Sequence, residues 1–208
     1  MTFFLISLSG AGGSGKDTIA QELQKTYGIR PMSLAEPLKA MASEITGLTV
    51  EQVNQVKDGL LMPEKMAGMR RMLQLLGTEV GRRCWDEDVW VKHLLRRVEA
   101  QKRISGTSGP YGVVITDVRF RNEFNALRAA GFLMIDVQAP TEFLRIKPPE
   151  NGHTPFDGCC PYHHASERDL DGYRAAEKFN LTLFNDRVNP IPLLARLVME
   201  ECSGGLVV

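Results

Sequence analysis

A glycine-rich segment close to the amino terminus carries the residues whose types and spacing best suit chemistry. From Gly10 to Lys16 the chain satisfies the phosphate-binding pattern G-x-x-x-x-G-K. The glycines let backbone N–H groups turn inward around phosphate oxygens, while the lysine ammonium reaches the β- and γ-phosphates. The pattern predicts a nucleoside triphosphate site made by Gly10, Gly12, Gly13, Ser14, Gly15, Lys16, Asp17 and Thr18.

The residue after the lysine departs from the usual pattern. A Ser or Thr normally stands there and gives its hydroxyl to Mg²⁺, whereas this chain has Asp17, with Thr18 next. Two interpretations are open, because either the Thr18 hydroxyl binds the metal or the Asp17 carboxylate acts on it through water. The alternative to a phosphate site is a glycine-rich turn that only joins a strand to a helix.

A second candidate for chemistry is the aspartate that follows a later apolar segment. Gly112–Thr116 is typical of a buried strand and runs directly into Asp117. A carboxylate at the carboxyl end of a parallel strand beside a phosphate loop suits a magnesium site. The alternative is that Asp117 caps the next helix. Charged and polar residues crowd the same turn, namely Arg119, Arg121, Asn122 and Glu123.

Short apolar segments separated by helical patterns must position these residues. The predicted strands are Phe3–Leu8, Met32–Leu34, Gly112–Thr116, Phe132–Val137 and, less clearly, Leu181–Phe184. Strands that alternate with helices indicate an α/β fold with a parallel sheet. The glycine-rich segment then begins where the first strand ends. One helix is expected from Pro37 to about Gly47, and the last one from Pro192 to Glu201.

The helical pattern around residues 69–82 has two stripes. One is apolar and predicts core packing by Met69, Met72, Leu73, Leu76 and Val80. The other is polar and contains Arg71, Gln74, Thr78 and Arg82. Gly77 and Gly81 each cost a helix about 1 kcal/mol relative to alanine. We therefore expect another group to pack or bind close to that backbone.

Two tryptophans and two irregular segments need separate interpretation. Trp85 and Trp90 precede basic residues and could contact a nucleobase, but ordinary packing is the favoured interpretation. Ser105–Pro110 is expected to be a surface loop. Lys147–Pro161 has no regular period and is interpreted as a mobile cover or an ordered excursion over the site.

Length and composition exclude several classes of function. The 208 residues include 25 Lys and Arg and 25 Asp and Glu, which gives a formal net charge of zero. That balance does not favour binding to a nucleic-acid polymer. The first apolar run is too short to span a bilayer and lacks a secretory pattern, so we expect a cytoplasmic protein without a membrane partner. The 4 cysteines lack a disulfide spacing and should be reduced.

Several motifs, taken in order, give a more specific signal than any one alone. They are SLSGAGGSGKDT at Ser7–Thr18, LAEPLK at Leu34–Lys39, LQLLGTEVGR at Leu73–Arg82, DVWV at Asp88–Val91, VITDVRFRNE at Val114–Glu123 and HASE at His164–Glu167. This set resembles the deoxynucleoside monophosphate kinases of bacteriophages, which are P-loop kinases. The resemblance covers most of the chain.

The resemblance implies a fold and a reaction. The fold is the three-layer α/β/α P-loop NTPase fold with a central parallel sheet, a helical monophosphate-binding insertion at about 36–104 and a lid-like segment at about 141–165, all in one domain over 1–208. The reaction is ATP-dependent phosphorylation of a deoxynucleoside monophosphate with Mg²⁺. The resemblance also implies that the protein binds small nucleotides and acts in the cytoplasm, which is the host cytoplasm if a phage encodes it. Whether the protein forms a homodimer is left open.

Both reacting molecules are polyanions, so the site needs cations more than a base, because an acceptor phosphate is largely a dianion at neutral pH. The predicted catalytic residues are Lys16, Arg82, Asp117 and Arg119. The predicted magnesium residues are Asp17, Thr18 and Asp117. The predicted acceptor-binding residues are Lys39, Arg71, Gln74, Thr78, Arg82, Glu123, Arg145, His164, Ser166, Glu167 and Arg168. The alternative for each arginine is a solvated surface side chain.

Two local patterns near residue 160 have simpler explanations. Ser166 and Asp169 fit a helix capping pattern, so the HASE segment need not touch substrate. A zinc site from Cys159, Cys160, His163 and His164 is not favoured, because directly adjacent ligands rarely converge on one tetrahedral ion.

Two other functions remain open from the residues alone. One is a P-loop kinase for a different phosphorylated acceptor, such as phosphomevalonate or dephospho-coenzyme A. The other is a nucleotide-binding regulator without an acceptor. An arginine-lined second helix and a cover over the site favour the kinase.

Overall fold

Strands and helices alternate along the chain in a computed structural model that describes residues 3–105, 111–140, 143, 169–176 and 178–204. The strands are β1 (Phe4–Ser9), β2 (Ile29–Met32), β3 (Gly112–Ile115), β4 (Leu133–Gln138) and β5 (Leu181–Phe184). The helices are α1 (Lys16–Tyr27), α2 (Glu36–Thr46), α3 (Val50–Lys57), α4 (Met66–Gln74), α5 (Val89–Ile104), α6 (Arg121–Ala129), α7 (Asp171–Ala175) and α8 (Ile191–Cys202). A 3₁₀ turn (Pro63–Lys65) precedes α4, and a π-helix (Leu75–Arg83) follows it.

The strands form one five-stranded sheet in the order β2-β3-β1-β4-β5. Every neighbouring pair is parallel, so the strands all end at the same edge. β1 is the central strand, with β3 on one side and β4 on the other. The predicted α/β fold with a central parallel sheet is confirmed, and the glycine-rich segment leaves the middle of the sheet.

Both faces of the sheet are buried. Ile6 and Leu8 of β1 pack with α1 and α8 in one hydrophobic cluster. Alternate residues of a strand point to opposite faces, and the intervening Ser7 and Ser9 are buried too. Such burial explains why β3, with the sequence GVVI, is apolar along its whole length rather than alternating.

The position of β2 differs from the prediction. The sequence favoured Met32–Leu34, whereas the strand is Ile29–Met32 and shares only Met32 with that segment. Its middle contains Arg30 and Pro31, which made it look unlike a strand. Proline is tolerated because β2 lies at the edge of the sheet, where one row of backbone groups is not needed for pairing.

The described residues form two compact units. One unit comprises those in 1–32 and 96–208 and contains the whole sheet, while the other is Ser33–Leu95 and is helical. The helical unit has its own small core of Ala42, Val53, Val56 and Met69. Single-domain organisation stays a prediction, and the lid-like segment at 141–165 lies outside the described residues except for Phe143. Within the described residues, no helix combines the length and apolar character needed to cross a membrane.

Candidate functional site

The glycine-rich loop joins β1 to α1 in the way its sequence predicts. Gly10, Gly13 and Gly15 all have positive φ angles, of 141°, 93° and 98°. A methyl group on Gly10 would collide with the carbonyl oxygen of Val137 in β4, and one on Gly15 would collide with Asn185. Larger residues are therefore excluded by backbone conformation and by space. The loop therefore has a defined conformation, and it leads directly into the amino-terminal end of a twelve-residue helix.

Lys16 places its ammonium group inside this loop. Its Nζ donates hydrogen bonds to the carbonyl oxygens of Gly10 and Ala11, each at 2.8 Å, and lies 3.4 Å from the Ser14 hydroxyl. Phosphate oxygens bound by the loop would meet this cation and the positive end of the α1 dipole together. The arrangement fits a triphosphate, and the interpretation as a mere linking turn does not account for the enclosed lysine.

The two alternative magnesium ligands occupy the first turn of α1. Asp17 and Thr18 are both exposed, so neither is committed to the core. Within the described part of the chain, no three His, Cys, Asp or Glu side chains are grouped so that they could hold a metal ion. A magnesium ion bound together with nucleotide phosphates usually needs only one or two protein ligands, because the phosphates and water supply the rest. The donor set therefore fits Mg²⁺ bound together with a nucleotide.

Asp117 lies beyond the end of β3, next to the central strand. Ile115 pairs with Ser7 of β1, so the chain that continues from Ile115 runs along the same edge as the start of the glycine-rich loop. Helix α6 begins at Arg121, and its N-cap residue is Phe120. Asp117 is thus not the N-cap residue of α6, and its part in metal binding stays a prediction.

Glu123 supports the segment that carries Asp117 and Arg119. Its side chain is only 3% exposed. Its Oε2 accepts hydrogen bonds from the backbone N–H groups of Arg119 at 2.9 Å and Phe120 at 3.0 Å. These bonds hold the turn that leads into α6. Arg119 itself is exposed. Direct contact of Glu123 with a substrate stays a prediction.

Five of the predicted acceptor-binding residues precede β3, and all five lie in the helical unit. Lys39 is in α2, Arg71 and Gln74 are in α4, and Thr78 and Arg82 are in the π-helix. Arg82 donates from Nη1 to the carbonyl oxygen of Glu87 at 3.0 Å. Binding of an acceptor by these residues stays a prediction.

The π-helix explains why part of the predicted apolar stripe is wrong. Val80 was expected in the core but is 56% exposed. Hydrogen bonds from the Cys84 N–H to the Glu79 oxygen and from the Asp86 N–H to the Gly81 oxygen show the five-residue spacing that shifts the helical phase. The buried side is taken instead by Gly77 and Gly81.

Trp90 is the group that packs against those two glycines. Its Nε1 donates to the Gly77 carbonyl oxygen at 2.8 Å, and its ring lies where a methyl group on Gly81 would be. The packing interpretation is therefore right for Trp90. It is wrong for Trp85, which is 81% exposed. Trp85 lies two residues beyond the end of the π-helix.

We expect Gly81→Ala to destabilise the protein by about 1–3 kcal/mol, because the new methyl group would overpack against the Trp90 ring. Urea unfolding monitored by circular dichroism measures this change. Gly68→Ala is the matched control, since a methyl group there meets no described atom within 4 Å. That control should gain about 0.5–1 kcal/mol from higher helix propensity. Equal stability of both variants would contradict the packing role of Gly81.

Two residues of the site were missed by the sequence analysis. Asn185 and Arg187 follow β5 and bond to the glycine-rich loop, which lies far away in the sequence. The available signal was their place at the carboxyl end of a predicted strand, where ligand-binding residues of parallel sheets occur. Because β5 was the weakest strand prediction, that signal was not used.

Several predicted residues lie outside the described part of the chain. They are Arg145, His164, Ser166, Glu167 and Arg168, together with Cys159, Cys160 and His163 of the disfavoured zinc site. Asp169, the other half of the capping pattern, is described. Its Oδ2 accepts from the backbone N–H of Arg121 at 2.7 Å, so it acts at the start of α6.

Comparison with known proteins gives a family match. The sequence profile of a family described as deoxynucleotide monophosphate kinase matches residues 41–147. A protein of Acanthamoeba polyphaga mimivirus named for the same family is 32% identical over 143 residues, which cover 65% of this chain and 74% of that protein. The deoxynucleoside-5′-monophosphate kinase of Escherichia phage T5 is 28% identical over 193 residues, a match that covers 64% of this chain and 74% of that protein.

The solved structures that match share less sequence with this chain. Shikimate kinase from Acinetobacter baumannii is 16% identical, with a TM-score of 0.48, and the match covers 100% of this chain and 97% of that one. The Thermus thermophilus protein TT1252 is 19% identical, with a TM-score of 0.49 and full coverage of both chains.

Proposed function

Because this chain belongs to the deoxynucleotide monophosphate kinase family, we propose that it transfers the γ-phosphoryl group of ATP to a deoxynucleoside 5′-monophosphate, which yields the diphosphate and ADP. The observation that carries the donor half of this proposal is the Lys16 ammonium held inside the glycine-rich loop. That loop lies outside the matched residues 41–147. The profile match and the loop geometry thus come from different parts of the chain.

Binding of the triphosphate is assigned to the loop and to α1. Inward backbone N–H groups would donate hydrogen bonds to the phosphate oxygens, and Lys16 would exchange its bonds to Gly10 and Ala11 for bonds to the β- and γ-phosphates. The positive end of α1 adds to the stabilisation of the phosphates. Mg²⁺, held through Asp117 and either Asp17 or Thr18, would supply further charge neutralisation when bound.

The acceptor needs positioning more than activation. Its phosphate has a second pKa near 6, about the ordinary value for a phosphate monoester, and is largely a nucleophilic dianion at neutral pH. We therefore assign no general base. Arg119 is proposed to stabilise the transferred group, and Arg82, with Lys39, Arg71, Gln74 and Thr78, to bind the acceptor. The proposed partners are the two nucleotides in the cytoplasm, and homodimer formation stays a prediction for light scattering to test.

An ADP-release assay against a panel of acceptors tests the proposal. The panel contains the four deoxynucleoside monophosphates, the ribonucleoside monophosphates, phosphomevalonate and dephospho-coenzyme A, with Lys16→Ala as the background. We expect turnover with at least one deoxynucleotide and little with the two non-nucleotides. Activity on a non-nucleotide alone would reject the acceptor, and nucleotide binding without any transfer would instead support a regulator.

Replacing Arg82 with glutamine should lower kcat/KM for the acceptor by about tenfold or more, because a charge-assisted hydrogen bond to phosphate would be lost. The measurement is steady-state kinetics with the acceptor varied at saturating ATP. Arg83→Gln is the matched control, since Arg83 is the next residue and its exposed side chain pairs with Glu79. An exposed pair of this kind contributes little. If both variants keep wild-type kinetics, Arg82 does not bind the acceptor.

A further inference from the structure

The turn that follows β5 contacts the glycine-rich loop at two carbonyl groups. Asn185 Nδ2 donates to the Ser14 oxygen at 2.9 Å. Arg187 Nη2 donates to the Gly13 oxygen at 2.8 Å. Both contacts join residues that are more than 170 positions apart in sequence. Neither residue has a part in the phosphate-binding pattern.

Asn185 is fixed from several sides. Its side chain is 1% exposed, and its backbone N–H donates to the Gln138 oxygen at the end of β4 at 2.8 Å. Its Oδ1 accepts from the backbone N–H of Arg187 at 3.3 Å. The amide therefore has a single orientation, with Nδ2 directed at the loop. Its approach also occupies the space that any side chain on Gly15 would need.

Arg187 is held in an unusual backbone conformation. Its φ angle is +66°, in the left-handed region that residues other than glycine adopt at a cost. Its guanidinium carbon lies 5.1 Å from the centre of the Phe143 ring. Strain of this kind persists where the surroundings fix it, and here the bonds to Asn185 and Gly13 do so.

Asp186 stabilises the same turn from within. Its Oδ1 accepts hydrogen bonds from the backbone N–H groups of Val188 and Asn189, both at 2.9 Å. Hydrogen bonds from Asn189 and then Val188 lower the pKa of the Asp186 carboxyl. Hydrogen bonds within the turn therefore hold its conformation, in addition to its contacts with the glycine-rich loop.

We propose that Asn185 and Arg187 are positioning residues that orient the peptide groups of the glycine-rich loop for phosphate binding. A trans peptide group points its C=O and the following N–H in opposite directions. With the Ser14 oxygen tied to Asn185, the N–H of Gly15 must point to the other side. With the Gly13 oxygen tied to Arg187, the N–H of Ser14 is directed across the loop and donates to the Ala11 oxygen at 3.1 Å, so this contact fixes the shape of the loop rather than presenting the Ser14 N–H to a phosphate.

If the peptide groups of the loop are already oriented in the protein without nucleotide, nucleotide affinity should be higher, because the loop does not have to be ordered when the phosphates bind. The proposal rests on the proposed function, since it takes the loop to be a nucleotide site. It adds that residues after the last strand, and not only the loop's own glycines, determine the affinity. Acceptor binding by the helical unit is not involved.

The test combines calorimetry with hydrogen exchange on the full-length protein. MgADP is titrated into wild type, Asn185→Ala and Asn180→Ala. Asn180 is the matched control, because its Oδ1 accepts from the Met134 N–H at 2.9 Å near the opposite end of β5. Asn185→Ala should weaken MgADP binding by about tenfold and speed amide exchange in a peptide covering residues 10–18 without nucleotide. The control should leave both unchanged within about twofold, as expected for a site away from the loop.

The outcomes separate this proposal from the proposed function. No binding of MgADP by wild type would reject the nucleotide site itself. Wild-type binding with unchanged affinity and loop exchange in Asn185→Ala would overturn the positioning role, and so would equal losses in Asn185→Ala and Asn180→Ala. If Asn185→Ala does not fold, the exposed Arg187 serves instead: Arg187→Ala must also speed exchange of the loop peptide, and unchanged exchange would reject the proposal.

Discussion

Lys16→Ala is expected to lower kcat by about 10²- to 10³-fold, the usual effect of removing one donor that stabilises charge in the transition state. The side chain is already enclosed by the loop, with Nζ 2.8 Å from two carbonyl oxygens. Its charge would lie next to the phosphoryl group that is transferred. Steady-state ADP release at saturating ATP and acceptor gives the measurement, and single-turnover assays show whether the transfer step itself is slowed.

Lys25→Ala is the control for this substitution. Lys25 is an exposed lysine in the last turn of the same helix, α1, so its loss changes the net charge equally without touching the loop. We expect this control to keep wild-type turnover. Thermal melting of both variants checks that the loop bonds of Lys16 are not needed for folding. Should Lys16→Ala turn over at the wild-type rate, the triphosphate site would have to be placed elsewhere.

The central part of the site could be predicted from sequence because the relevant information is local. In the glycine-rich loop, positive φ angles at Gly10 and Gly15 require glycine, and the strand before it and the helix after it are continuous with it in the chain. Asp117 was predicted for a similar reason, since it directly follows a buried apolar run. Short-range patterns of this kind depend little on the rest of the fold.

The parts that were missed depend on distant partners. Nothing near Asn185 in the sequence indicates that its amide bonds to Ser14, because sheet order decides which strand ends meet. The same holds for the ion pair between Arg174 and the buried Asp136, at 2.8 Å. The π-helix is a third case. The core prediction for Val80 assumed the spacing of an α-helix, and that spacing changes where the π-helix begins at Leu75. Tertiary packing by Trp90 accompanies that change.

Asp117→Asn should lower kcat by about 10- to 100-fold, the range found when a residue that orients the ligands of a metal is replaced. Nucleotide affinity should fall by less, because the loop and Lys16 bind the phosphates without this carboxylate. Asparagine keeps the size and the position beyond β3 but removes the charge that attracts Mg²⁺. The Mg²⁺ concentration needed for half-maximal rate should therefore rise, and excess Mg²⁺ should restore part of the rate.

A magnesium titration of ADP release separates this role from a structural one. Asp171→Asn is the matched control, because Asp171 is an exposed aspartate of α7 whose ion pair with Arg174 is at the surface, and its Mg²⁺ requirement should stay at the wild-type value. Asp17→Asn and Thr18→Ala, titrated in parallel, decide between the two ligands of the first turn of α1: the one that shifts the curve supplies the second contact. A fall in rate for Asp117→Asn with an unshifted curve would assign Asp117 to shaping the turn before α6, and an unchanged rate would remove it from the site.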